Sequence, residues 1–472
     1  MRRILAVLAA LLFVPQIVIS APPASANALS GAWSAPSNLG TIGIHSTLLR
    51  TGKVMLFGYS NGTIGTETRL WNPATGALTN VTMSRKRELF CSGHSVLPDG
   101  RVFVTGGTVY GSPLEVGVRN TDLFDPVTGT WQAGPQMNRA RWYPSNLGMP
   151  SGKTLIFSGQ KDPQTLIRAV ESHTPGASAI TMLPSTANKT MWSLYPHLFV
   201  MPNGKVFYAN ADPNSSLFNP ATNSWSFVDD TVAQYRYSAP AVLLPGLQKV
   251  LFIGGDNGNS ALASAEIIDL SQPSPRWRAT APMSFKRRHA NGVLLPDGKV
   301  LVVGGGLGES YANPVKAAEM FDPATETWQT MAAQQAGRMY HSTAVLLPDG
   351  RVLSAGQDSG SYQYRGEVFS PPYLFKGPRP VIDSAPGAVG YNRGFSVATD
   401  EAVGRVVLIR PGSVTHSTDF EQRYVNLPFT AGSGVLNVTS PPNANHAPPG
   451  WYMLFIVNTD GVPSIASWVR VG

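Results

Sequence analysis

Seven copies of one short pattern constrain this chain more than any other feature. Each copy is an apolar run, a turn built on Pro-Asp-Gly or a variant of it, a Lys or Arg, and a second apolar run that usually ends in glycine. HSVLPDGRVFVTGG at 94–107 and NGVLLPDGKVLVVGG at 291–305 are two of them. The residue before the Lys or Arg is Gly52, Gly100, Gly152, Gly204, Gln248, Gly298 and Gly350, so neighbouring turns stand 44 to 52 residues apart. Each copy reads as strand, tight turn, strand. A second signal follows most copies, as in LFDPVTGTW at 123–131 and MFDPATETW at 320–328. It predicts another strand, turn and strand. Four strands per unit of roughly 50 residues is the mark of a kelch-type propeller blade.

The ends of the repeat do not match. GAWSAPSNL at 31–39 resembles the outer strand within GTWQAGPQM, yet no blade precedes it. The seventh unit, running through GEVFSPPYLF, has no Trp-bearing strand of its own. We therefore expect strand 31–39 to complete the last blade and leave only short, protected edges. After the Pro-rich link PPYLFKGPRP the period stops. Short alternating strands such as GWYMLFIVN then predict an immunoglobulin-like β-sandwich. The expected organisation is all-β: a seven-bladed kelch-type β-propeller over 27–378, then a C-terminal sandwich over 379–472.

Residues 1–26 read as a secretory signal: Arg2 and Arg3, an apolar run from Ile4 to Val14, and Ala24-Ser25-Ala26 as the cleavage site. No later stretch is long and apolar enough to span a membrane, so we expect a secreted protein. The formal charge of +8 falls to +6 without Arg2 and Arg3. That balance is modest for 472 residues and gives no reason to expect nucleic acid as a partner. Cys91 is the only cysteine, so no disulfide forms within the chain. A leftover thiol in a secreted protein is an apolar filler, an intermolecular bridge or a chemical participant.

The phase of the repeat bears on that choice. Nine residues before the turn glycine lie Cys91, Tyr143, Tyr195, His289 and His341 in their respective units. One step earlier lie Phe90, Trp142, Leu194, Arg288 and Tyr340. Equal phase puts these residues at one end of the central channel, with Cys91 and Tyr143 on consecutive blades. Imidazole and phenolate donors suit copper.

Four motifs carry a resemblance: LFCSGHSVLPDGRVFVTGG with Cys91, ARWYPSNLGMPSGK with Tyr143, GRMYHSTAVLLPDGRV with Tyr340 and His341, and RPGSVTHSTDFEQRYVNL with His416. Over nearly all of the chain after the signal, the sequence resembles the galactose oxidase and glyoxal oxidase family of radical copper oxidases. The resemblance implies a covalent bond from Cys91 Sγ to the Tyr143 ring, and copper held by Tyr143, Tyr340, His341 and His416. It implies Tyr340 as general base and the Cys91–Tyr143 group as the radical that takes a hydrogen atom from substrate carbon. O2 then reoxidises the site and H2O2 is released. His416 enters through the resemblance alone, since it lies in the sandwich. The tryptophan that covers the cross-linked pair in this family is Trp192 or Trp142 here.

Arg-Trp-Tyr around Tyr143 is closer to the glyoxal oxidase-like branch, which implies small aldehydes or primary alcohols as substrates. A galactose oxidase-like alcohol or carbohydrate oxidase is the alternative. Arg288, within Lys286-Arg287-Arg288, is a candidate for the substrate rim. From another class, a non-catalytic propeller binding a glycan or protein fits the repeats equally well. A glycosidase does not, because the phase set holds no Asp or Glu.

Overall fold

The computed structural model describes residues 26–472 except 59–65, 84, 86, 110–115, 193, 310, 361 and 362. The secretory signal expected over 1–26 lies outside the described residues apart from Ala26, which opens a short helix, Ala26–Ser30. Among the described residues no helix is long and apolar enough to cross a membrane.

Each Pro-Asp-Gly copy is a hairpin, for a local reason. In the second copy Gly100 adopts φ +90°, which a side chain would strain. Its N–H donates to Leu97 O at 2.8 Å, and Leu97 N donates to Arg101 O at 2.9 Å. Asp99 Oδ1 accepts from Arg101 N at 3.0 Å and closes the turn. In the fifth copy Leu247 takes the left-handed position instead (φ +61°).

Among the described residues, seven antiparallel sheets of four to six strands follow in chain order before residue 371, with a two-stranded one, Gln160–Asp162 with Thr165–Leu166, beside the third. Their innermost strands are His45–Leu48, Gly93–Val96, Ser145–Gly148, His197–Val200, Ala241–Leu243, Arg288–Leu294 and Ser342–Leu346. We number the sheets one to seven in that order. The seventh takes its outer strands from the beginning of the chain: Ala32–Trp33 and Ser37–Asn38 both pair with Arg365–Ser370. Trp33 behaves as the tryptophans of other outer strands do. Its Nε1 donates to Ala332 O at 2.8 Å, as Trp328 donates to Ala281 O and Trp225 to Ala187 O. Its ring lies 5.0 Å from Phe369, matching Trp328 on Phe321 at 4.9 Å.

Consecutive sheets touch at or beside their inner strands. Thr105 bonds Asn146 between sheets two and three, His197 bonds Ala239 O between four and five, and Asn291 bonds Ser342 between six and seven. Ser46 of sheet one meets Thr343 of sheet seven at 2.7 Å.

Residues beyond 387 form a five-stranded and a three-stranded sheet with an apolar core between them, including Val397, Val406, Leu408, Tyr452 and Leu454. This unit grips the turn ends of the inner strands. Glu421 accepts from Val96 N, Gln422 from Leu243 N, Arg423 donates to Val200 O, and Tyr424 to Pro296 O. One of its hairpins, Ser413–Thr415 with Thr418–Asp419, leaves it and pairs with the inner strand of sheet one, His45 opposite Thr415.

Candidate copper centre

In six of the seven copies the residue nine before the turn shares one backbone state; Gly43, in that place in the first copy, does not. Cys91 (φ 57°), Tyr143 (60°), Tyr195 (53°), His289 (59°) and His341 (64°) are all left-handed. Ser238, nine before the left-handed Leu247, joins them at 54°. Non-glycine residues held there cost on the order of 1 kcal/mol each, and such strain concentrates at functional sites. Backbone bonds stitch these positions across sheets: Tyr143 N to Cys91 O at 2.8 Å, Tyr195 N to Tyr143 O at 3.3 Å, His289 N to Ser238 O at 2.8 Å.

Cys91, Tyr143, Trp142, Tyr195 and Phe420 form one buried cluster. Tyr143 Oη lies 2.5 Å from Tyr340 Oη. Burial, with Cys91 and Tyr340 close by, pushes the Tyr143 phenol well above its ordinary range. The His416 hairpin delivers its imidazole into the same space. Its Nε2 stands 3.6 Å from Cys91 Sγ, and its ring is 5.0 Å from Tyr143 and 4.6 Å from His341.

Both imidazoles present a bare Nε2. Thr415 Oγ1 donates to Ile44 O at 2.8 Å, so it accepts from His416 Nδ1–H at 2.6 Å. Asp358 Oδ2 takes His341 Nδ1–H at 2.7 Å, and its Oδ1 accepts from the Tyr311 hydroxyl. His341 Nε2 is buried with no hydrogen-bond partner. Burial, then the neighbouring His289, lowers His341 to about 3, so the ring is neutral. Burial, with His341 the largest neighbour, likewise holds His416 well below its ordinary value. One thiol and two imidazoles offer donor atoms within 4.8 Å of one another. Two neutral imidazoles beside two phenols that share a hydrogen are a fitting donor set for a divalent copper ion.

An open cavity of about 490 Å³ leads to this cluster. Tyr143, Tyr340 and His416 line its floor, and Trp142, Trp192 and Gln160 are among its walls. Trp142 is buried and meets the Tyr143 ring edge-on at 4.3 Å and 77°. Trp192 is 71% exposed at the cavity wall. Arg288 is paired with Glu309 at 2.5 Å and Asp256 at 3.3 Å and is not among the cavity-lining residues. Its neighbour Arg287 is buried against Glu319.

His45, His94, Tyr311, Asp358 and Thr415 also support the cluster, and the repeat phase does not point to them. The available signal was a histidine within each of the inner strands His45–Leu48 and Gly93–Val96, whose other residues are small or apolar.

The chain matches the Glyoxal oxidase N-terminus family over residues 68–373, and the Galactose oxidase-like, Early set domain over 379–471. It belongs to the galactose oxidase and glyoxal oxidase family of copper-radical oxidases. A galactose oxidase of Gibberella zeae is 29% identical over 88% of this chain; the chain spans 65% of that relative's length. Aldehyde oxidase GLOX of Vitis pseudoreticulata is 28% identical over 94% of this chain and 97% of its own. A copper complex of a fungal alcohol oxidase of the AA5 family superposes with TM-score 0.84 at 25% identity, covering 94% of this chain and 99% of that one.

Proposed function

We propose that this chain is a secreted oxidase that converts small aldehydes, as their hydrates, or primary alcohols with O2 and releases H2O2. One observation carries the reading most strongly: the buried, partnerless His341 Nε2 beside the paired Tyr143 and Tyr340 hydroxyls. The proposed architecture is a closed seven-bladed propeller over 27–378 and a sandwich over 379–472. The contact of sheet seven with sheet one and the pairing of the N-terminal strands support closure.

Tyr143, Tyr340, His341 and His416 would hold copper. When bound, copper supplies a Lewis acid for the substrate oxygen and one electron equivalent of redox capacity. The Cys91–Tyr143 thioether is proposed to form once, by loss of the thiol hydrogen and one ring hydrogen, with two electrons passing to O2 to give H2O2. In turnover Tyr340 Oη takes the substrate hydroxyl proton. The oxidised Cys91–Tyr143 group takes the hydrogen atom from carbon. Overall, an alcohol and O2 yield an aldehyde and H2O2; an aldehyde hydrate and O2 yield an acid and H2O2. The cofactor does the hard chemistry and the chain positions it.

An H2O2-release screen of copper-loaded protein over glyoxal-type aldehydes, primary alcohols and galactose tests this reading. The Cys91 and Tyr143 peptides are expected to be joined and lighter by two hydrogens. A free thiol after denaturation together with no peroxide from any substrate would leave a binding role instead.

A further inference from the structure

Two histidines outside the proposed ligand set join the two halves of the site. His45 and His94 are fully buried. Cys91 N lies 3.1 Å from His45 Nε2. A backbone N–H can only donate, so Nε2 is the unprotonated nitrogen of His45. The hydrogen is then on Nδ1, which faces His94 Nε2 at 3.1 Å. That nitrogen must accept, so His94 Nδ1 carries the next hydrogen and points it at Ser413 Oγ, 2.5 Å away, with Thr47 Oγ1 at 3.3 Å. The direction of the whole chain follows from one amide, and burial keeps both rings neutral. Phe57 stacks on His45 at 4.5 Å and Phe420 edges His94 at 5.3 Å, which fixes both ring planes.

The two ends of this chain have different owners. Cys91 sits on the left-handed turn that opens sheet two. Ser413 belongs to the hairpin that brings in His416, and that hairpin pairs with His45's own strand. Apolar side chains would fill the same volume without burying four ring nitrogens, so packing alone does not account for two histidines. We propose that His45 and His94 are positioning residues that hold the Cys91 turn in register with the His416 hairpin, and so set the rate at which Cys91 bonds to Tyr143. This rests on the oxidase reading above.

The test uses full-length protein prepared without copper, then given copper and O2. The loss of two hydrogens from the Cys91–Tyr143 peptides is followed by mass against time. His45→Phe keeps the ring volume but offers Cys91 N–H no acceptor; it is expected to slow the reaction about 10-fold or more, the range seen for outer partners of metal sites. His45→Gln offers both an acceptor and a donor and is expected to return the rate to within about threefold of wild type by the same logic. A folded His45→Phe protein that cross-links at the wild-type rate overturns the proposal. Should that variant not fold, His94→Leu decides: it leaves the acceptor for Cys91 and cuts the tie to Ser413, so a wild-type rate there overturns the proposal equally. If wild type itself loses no hydrogens, the oxidase reading fails and this inference with it; if wild type reacts and the variants match it, only this inference fails.

Discussion

A metal ligand is made as much by what holds its far side as by its own donor atom. His341 illustrates this: Asp358 fixes its tautomer through Nδ1, and Tyr311 fixes Asp358. Carboxylate partners of this kind orient the ring and raise its basicity. Asp358→Asn is therefore expected to weaken copper binding by about 10- to 100-fold. Titration of the copper-free protein with copper, followed calorimetrically, checks this. An unchanged affinity would mean that Asp358 is only a packing neighbour. Counting from the hairpin turns brought Cys91, Tyr143, Tyr340 and His341 to one place in the sequence. The same count could not reach His416, because its position depends on a strand pairing between distant parts of the chain, His45–Thr47 with Ser413–Thr415. Asp358 and His45 were invisible for a similar reason. A single carboxylate or imidazole acquires its role from burial and from whichever sheet packs beside it.

The elements that carry these residues are anchored by a repeated ion pair. Arg141–Glu171, Arg236–Glu266, Arg287–Glu319 and Arg338–Glu367 recur in sheets three, five, six and seven, all buried. Each arginine also donates to the end of the second strand, at Ser158, Gly254, Gly304 or Gly356 O. Each glutamate also accepts from the incoming loop, as Glu266 does from Val232 N and Ala233 N at 2.8 Å. The arginine precedes the left-handed site position by two residues in three of these sheets, so the pair clamps the segment that aims the side chain. Nothing in composition marks these residues, because Arg and Glu are mostly exposed and Arg287 reads as part of a solvated basic run. Arg236→Leu leaves Glu266 buried without its cation and is expected to cost about 3–5 kcal/mol. Arg278→Leu breaks a more exposed pair between an outer strand and the turn that holds Glu326, and is expected to cost at most about 1 kcal/mol. Thermal melts of the two variants separate the cases; equal shifts would sink the clamp.

At the scale of the molecule, the hairpin period and the mismatched ends made the run of small antiparallel sheets and the pairing of the N-terminal strands legible, because turn chemistry and strand alternation are local. Less legible was how closely the C-terminal unit is bound in, since Glu421, Gln422 and Arg423 meet backbone groups of three different sheets through side chains that sequence alone reads as surface. The same close packing buries histidines outside the proposed copper ligand set. His94 is lowered to about 3 by burial, and His173 and His197 to about 4, burial being the main cause in each case. A histidine whose folded value is depressed is neutral in both states above about 6.5. Below that, the unfolded chain takes up protons the native chain refuses, so stability falls with pH. Near pH 5 these three groups alone are expected to remove about 4 kcal/mol per pH unit. Glu421 and Asp419, raised by burial, bind protons in the native state and offset part of the loss toward lower pH. The cleanest window is therefore pH 6.5 down to 5, measured on copper-free protein so that ligand protonation by metal competition does not enter. His197→Gln keeps a donor for Ala239 O and removes one titrating group. Its unfolding free energy should fall less steeply across that window, by a difference that approaches about 1.4 kcal/mol per pH unit at the acid end. Parallel curves for wild type and variant would show that His197 takes up its proton in the native state as readily as in the unfolded one.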